Sequence, residues 1–291
     1  GVQTCALPIC GGNRVGGLGT GGPGTSHQAI MNGNSLGVSV VQTGADNNLQ
    51  MNVNTIATTG GGSTFNYSAT GSSNSSVIDS NSANANGGSD SNSVTIAVFG
   101  NSNVNKVNTV GTTNSISTAV GTGSAGSNSN TVNQTQNGTG NTQSVVVGGG
   151  SSNLINIMQG LVTIPDSTAP AVPTSSTNSL WGETLKGLDG IISAGTNSTS
   201  GTASVTVNGA SNTVNVGQTG TGNTTTIGIT GNTNGVAVNQ SGLGDSTATI
   251  SLTGSSNVLN ATQTSSSSVN NMLNYRNSGS SNTVTVTQSG H

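Results

Sequence analysis

The chain has 291 residues, 46 of them glycine, only 4% charged and 2% aromatic, with a formal net charge of −3. A globular enzyme domain carries about 25% charged residues, and nucleic acid or an anionic membrane surface is held by many Lys and Arg side chains. Four Lys and Arg in all argue against each of these classes, and no apolar run reaches the roughly 18 residues of a spanning helix.

Residues 1–9, Gly-Val-Gln-Thr-Cys-Ala-Leu-Pro-Ile, resemble the translation of a common sequencing-adapter oligonucleotide. Residues 1–10 are therefore set aside as an artefact, with the true start and any signal peptide expected upstream. Cys5 and Cys10, the only cysteines, fall inside this stretch. Residues 11–33 read as a Gly-rich, flexible lead-in.

Residues 34–160 carry the first part of a strand repeat. Leu36, Val38 and Val40 alternate with polar residues, as do Leu49, Met51 and Val53, then Phe65, Tyr67 and Ala69, then Val94, Ile96 and Val98. Period-two alternation places each set on one face of a β-strand. The stretch from Asn74 to Gly88 has no clear register, and Gly121–Gly126 reads as a loop.

From Asn130 onward the pattern tightens. The sixth residue after each strand-opening position is in turn Gln136, Val147, Gln159, Val207, Gln218, Ile229, Gln240, Leu252 and Gln263, with Gln288 closing the series and Tyr275 expected in the last aliphatic slot. Amide and aliphatic ends alternate with a period of about 22 residues, two strands and two turns per repeat. A disordered Gly/Ser/Asn-rich chain has no need of such a phase. The expected fold is all-β: a two-sheet β-solenoid of roughly eight turns with strands stacked about 4.8 Å apart.

The alternation also locates an insertion, residues 161–200, after which residues 201–291 resume the solenoid. The insertion holds Pro165, Pro170, Pro173 and Trp181; Trp181, Leu185, Leu188 and Ile192 have helical spacing, so a short helix is expected over 179–192.

The turns Gln136–Asn141 and Gln218–Asn223 share the form Gln-x-Gly-x-Gly-Asn, Gln240–Asp245 departs from it only at the last residue, and Gln42–Asn47 is a weaker cousin. Gly supplies positive φ for the reversal, and Asn tolerates it. In a stack of like turns, amide side chains bond the rung above and below, which is what permits them to be buried. Gln136, Gln159, Gln218, Gln240, Gln263, Gln288, Asn141, Asn212, Asn223 and Asn234 are the expected ladder residues.

The Gln-x-Gly-x-Gly-Asn turn inside a 22-residue strand–turn–strand repeat resembles the curlin repeat of bacterial curli subunits. The resemblance covers most of Asn130–Gln288 and departs at two points: Asn stands where the repeat opens with Ser, and Val147 or Ile229 stands where it carries a second Gln. It implies a non-enzymatic, secreted amyloid fibre or biofilm-matrix component that supports adhesion, located outside the cell or on its surface. Its partners would be other copies of itself, joined end to end, and host or matrix surfaces. Val284 and Val286, in the Pro-free and charge-free stretch Ser281–Gln288, are the expected assembly edge.

No spacing of His and acidic residues fits a catalytic or metal site, no Gly-rich segment continues as a phosphate loop, and no cofactor is expected. The alternatives are a monomeric surface adhesin or display solenoid and, more remotely, an ice-binding solenoid, suggested by Thr224, Thr226, Thr247, Thr249, Thr283, Thr285 and Thr287.

Overall fold

A computed structural model describes residues 14–15, 30–33, 36–55, 63–80, 93–121, 127–160, 176–178, 183–185, 198–266 and 270–290. Its body is a β-solenoid of parallel strands in two stacked sheets. The chain visits the sheets alternately, and one visit to each makes a rung. Rung 1 is Leu36–Thr43 and Asn48–Thr55; rung 2 is Ser63–Thr70 and Ser75–Ser80; rung 3 is Ser93–Phe99 and Val104–Thr112. Rung 4 is Ser115–Val120 and Thr131–Thr139; rung 5 is Thr142–Gly149 and Leu154–Gln159; rung 6 is Thr202–Asn208 and Thr213–Gln218. Rung 7 is Thr224–Thr230 and Gly235–Gly242; rung 8 is Ser246–Thr253 and Val258–Ser265; rung 9 is Asn271–Asn277 and Thr283–Ser289. Seven successive turns thus run from Ser93 to Ser289, preceded by two more.

The first strand of every rung lies in the first sheet and the second strand in the second sheet, each paired in parallel with its equivalents one rung away. The alternating sequence explains the two layers. In Thr202–Asn208 the burial alternates residue by residue, with Ala203, Val205 and Val207 inside and Thr202, Ser204 and Thr206 on the outer face. The inward residues meet those of the opposite sheet, such as Val214 and Val216, in a thin core that runs the length of the stack. Each fully buried Val or Ile contributes roughly 1.5–3 kcal/mol, and β-branched side chains suit the pleated surface.

Two corners join the sheets. The first corner, from first sheet to second, has the form Gly-x-x-Asn, as in Gly209–Asn212 and Gly231–Asn234. Gly209 and Gly231 have φ of 135° and 130°, and a Cβ on either would overlap the carbonyl of the equivalent glycine one rung on. Glycine is thus required there by conformation and by close approach together. The next-but-one residue is left-handed although it is never Gly: Ser211 has φ 57° and Thr233 has φ 61°.

The turn Gln42–Asn47 belongs to this first corner and not to the class of Gln136–Asn141. Gln42 lies in the first sheet, paired with Ala69. The last aliphatic slot is also reassigned. Leu252 pairs with Asn277, while Tyr275 pairs with Ile250, two residues earlier along the strand.

The insertion differs from expectation in two ways. Within 179–192 the described residues, Glu183–Leu185, form a strand paired antiparallel with Ser176–Asn178 rather than helix; the other residues of that range lie outside the described ones. Glycines at 182 and 187 flank this strand and weaken any helix by about 1 kcal/mol each. The chain also rejoins the solenoid before residue 201: Ser198 and Thr199 pair with Gly138 and Thr139 on one side and with Gly220 and Thr221 on the other.

Candidate functional site

The second corner runs from second sheet to first. Each of its glutamines lies at or near the end of a second-sheet strand, points inward, and is in register with the glutamines of the neighbouring rungs. Gln136 Nε2 donates to Gln159 Oε1 at 3.1 Å, Gln159 to Gln218 at 2.7 Å, Gln218 to Gln240 at 2.8 Å, Gln240 to Gln263 at 2.9 Å and Gln263 to Gln288 at 2.7 Å. The first five are buried. Each Nε2 has a second acceptor across the core in a first-sheet backbone carbonyl, as for Gln159 with Thr142 and Gln240 with Thr224. Thr225 adds a hydroxyl that donates to Gln240 Oε1 at 2.7 Å and accepts from Gln218 Nε2 at 3.2 Å.

The ladder starts at Gln136 because its register partner in rung 3 is Thr109, and Gln136 Oε1 is left without a partner.

Asn212 and Asn234 stand at the opposite corner, in a longer column: Asn47, Asn74, Asn103, Asn130, Asn153, Asn212, Asn234, Asn257 and Asn282. Every Nδ2 from Asn74 onward donates to Oδ1 of the preceding rung at 2.9–3.2 Å. The backbone N–H of the same residue donates to that Oδ1 as well, as from Asn234 to Asn212 at 2.9 Å. Nδ2 also reaches the corner glycine of the following rung, as from Asn212 to Gly231 O at 2.9 Å. The donors of this ladder point toward the N-terminal rungs, those of the glutamine ladder toward the C-terminal rungs, so the two rows of amide dipoles oppose each other. The nine-membered column was missed as a unit in the sequence; its signal is Asn at the fourth position of each first-corner turn.

Asn141 and Asn223 occupy the second corner but do not meet. Asn141 Nδ2 donates to Asn114 Oδ1 one rung away at 3.1 Å, and Asn141 Oδ1 accepts the Gly201 N–H at 3.0 Å. Gly201 fills the slot between Asn141 and Asn223, since Thr142, Thr202 and Thr224 are register partners, and it has no amide to pass on.

Among the described residues rung 9 is the last rung of both sheets. Val284 and Val286 face the core and are partly buried against it. The open edge belongs to their neighbours. Thr213, Gly235 and Val258 each send their N–H to an Asn carbonyl of the following rung, and Thr283 is the register partner of Val258. Alternation along the strand therefore turns the N–H groups of Thr283, Thr285 and Thr287 outward, while those of Val284 and Val286 face rung 8.

Among the described residues no three His, Cys, Asp or Glu side chains come close enough to hold a metal ion, and no helix is long and apolar enough to cross a membrane. No protein-family model matches the chain, and no curated protein matches it either.

Proposed function

We propose that the protein is a structural repeat protein that extends by end-to-end addition of copies of itself into an extracellular, curlin-like fibre or matrix and supports adhesion. The observation that supports this reading is the stack itself: each rung binds the next through strand backbones and amide columns in one repeating register, and the outward donors and acceptors of Thr283, Thr285 and Thr287 stand in that register. A paired strand needs no side-chain lock to accept another chain, and the amide columns, at Asn282 and Gln288, favour an incoming rung with amides at the same positions. A surface with so little charge offers little repulsion to such stacking.

The test is a seeded growth assay with Thr285→Pro and Val286→Pro. Thr285→Pro removes an outward donor and is expected to slow growth while leaving the unfolding midpoint nearly unchanged, because proline is tolerated on an edge whose N–H faces solvent. Val286→Pro removes a donor to rung 8 and is expected to lower stability as well. A wild type that stays monomeric at high concentration would sink the fibre reading in favour of a display solenoid or adhesin.

A second reading has its own observation. On the outer face of the first sheet, Ser115, Thr142, Thr202, Thr224 and Thr247 form one column in register, and Ser117, Ser144, Ser204, Thr226 and Thr249 another. Thr283, Thr285 and Thr287 lie on the other sheet and do not join it. Such an in-register, uncharged hydroxyl array suits ordered water, and thermal hysteresis of a supercooled solution would separate this ice-binding reading from the fibre.

A further inference from the structure

The otherwise apolar interior of rungs 2 and 3 holds a small group of polar side chains. Tyr67, Ser76 and Asn105 project into the core with 2%, 0% and 1% of their surface exposed. Ser76 and Asn105 are register partners on consecutive rungs of the second sheet, which sets their backbones about 4.8 Å apart. Tyr67 enters from the first-sheet strand of the rung that holds Ser76. Burial raises the Tyr67 phenol above its ordinary pKa, and the adjacent Ser76 hydroxyl partly offsets this. Even so the two hydroxyls stop short of hydrogen-bond geometry: Tyr67 Oη, Ser76 Oγ, Asn105 Oδ1 and Asn105 Nδ2 all lack a partner in the protein.

The reason lies in the column. A buried amide in this fold is satisfied by the amide one rung away, as Asn156 is by Asn133 and Asn215. Asn105 has Ser76 on one side and Val132 on the other, so no ladder forms. Later rungs fill the same column with Ile155, Val214, Val236 and Leu259, all buried and apolar. Ser76 is much smaller than these and fills less of the column.

An unsatisfied buried polar atom is costly, and four in one place would offset a large part of the marginal stability of a folded domain. Two hydroxyls that donate or accept, one amide donor and one carbonyl acceptor are the complement of a water molecule, which takes about two to four polar partners when buried. None of the three side chains carries a charge at neutral pH, so a neutral guest fits where an ion would not.

We infer that Tyr67, Ser76 and Asn105 form an internal hydration site that holds a water molecule as a fixed part of the fold, bridging two rungs where no amide ladder can.

The experiment is NMR cross-relaxation between water and the side-chain amide protons of Asn105 in the full-length chain, with a denaturation series on variants. The expected result is a long-lived water signal on Asn105 Nδ2–H in the wild type, lost in Asn105→Val. That single change should lower the denaturation midpoint, since it strands the two hydroxyls. The combination Tyr67→Phe, Ser76→Ala and Asn105→Val should bring the midpoint back. Absence of the water signal from the wild type overturns the site whether or not any variant folds, and so does a midpoint raised by Asn105→Val alone.

Discussion

Gln159 Nε2 donates to Gln218 Oε1 at 2.7 Å although the two residues are 59 positions apart in the chain. The bonds on either side, Gln136 to Gln159 and Gln218 to Gln240, span only 23 and 22 positions. The inserted residues therefore leave the ladder intact, and the corner shows why. Ser198 is the register partner of both Gly138 and Gly220, which are the third residues of the turns Gln136–Asn141 and Gln218–Asn223. Gln159-Gly160 and Ser198-Thr199-Ser200-Gly201 together make one six-residue turn, and the insertion enters between its second and third positions.

This sets the limits of a clean deletion. Joining Gly160 to Ser198 is expected to preserve the solenoid, because closing a long loop changes the chain entropy only mildly. Joining Gly160 to Gly201 instead removes Ser198, whose carbonyl accepts the Asn141 Nδ2–H at 3.0 Å, and shortens the turn by three residues. The first deletion should keep the far-ultraviolet β signal and a cooperative unfolding transition, and the second should lower the midpoint. Loss of β signal in the first would place part of the insertion in the core.

Gln240 has the fullest set of bonds in its ladder. Its Nε2 lies 2.9 Å from Thr224 O, Ser246 O and Gln263 Oε1, and its Oε1 accepts from Gln218 and Thr225. Gln240→Leu has nearly the right volume but strands a donor on Gln218 and an acceptor on Gln263. The expected cost is about 1–3 kcal/mol, read from urea denaturation. Gln288→Leu, at the partly exposed end of the ladder, should cost markedly less, since water replaces the lost partner. Equal losses at the two sites would contradict the burial argument.

The two-sheet fold and the place of the insertion were legible because period-two alternation and a glutamine in every second strand end are properties of single residues at fixed spacing. The glutamine ladder was legible for the same reason. The Asn47–Asn282 column was only half visible: its members open strands in the sequence, but which sheet each serves depends on the corner, and two corner types built from Gly, Ser and Asn look alike. That likeness is why Gln42–Asn47 reads as the wrong corner. The direction of the backbone at rung 9 leaves no trace in side-chain pattern, so Val284 and Val286 stand out in the sequence while the open donors belong to the threonines between them. The polar interior at Asn105 is hidden because Asn elsewhere in the chain marks corners.

The gap in the second-corner column offers a gain in stability. Ser198 Oγ is buried without a partner, and a Cβ on Gly201 would lie 2.7 Å from it and 3.1 Å from Asn141 Oδ1. Gly201 has no positive φ to defend. The pair Ser198→Gly and Gly201→Asn removes the stranded hydroxyl and supplies an amide between Asn141 and Asn223. An increase of about 1 kcal/mol is expected from the restored bond, seen as a higher denaturation midpoint. Gly201→Asn alone should gain less or lose, because the Ser198 hydroxyl must move to admit it. A double variant weaker than the wild type would show that this corner tolerates only glycine.

The last expectation concerns alkaline pH. Burial holds the Tyr67 phenol above its ordinary pKa, so near and above about pH 10 the unfolded chain releases the proton before the folded chain does. The folded state then binds more protons than the unfolded one, and stability falls as pH rises through that window. Tyr67's contribution is fully present below the ordinary tyrosine pKa and is lost on approach to the folded value. Tyr67→Phe cannot ionise, so the difference in unfolding free energy between wild type and variant should be constant from pH 7 to 9 and then move against the wild type as pH rises further. Urea denaturation at a series of pH values measures it directly. A constant difference through the alkaline range would mean that the phenol ionises as readily in the fold as outside it, and that its surroundings are wet enough to solvate a charge.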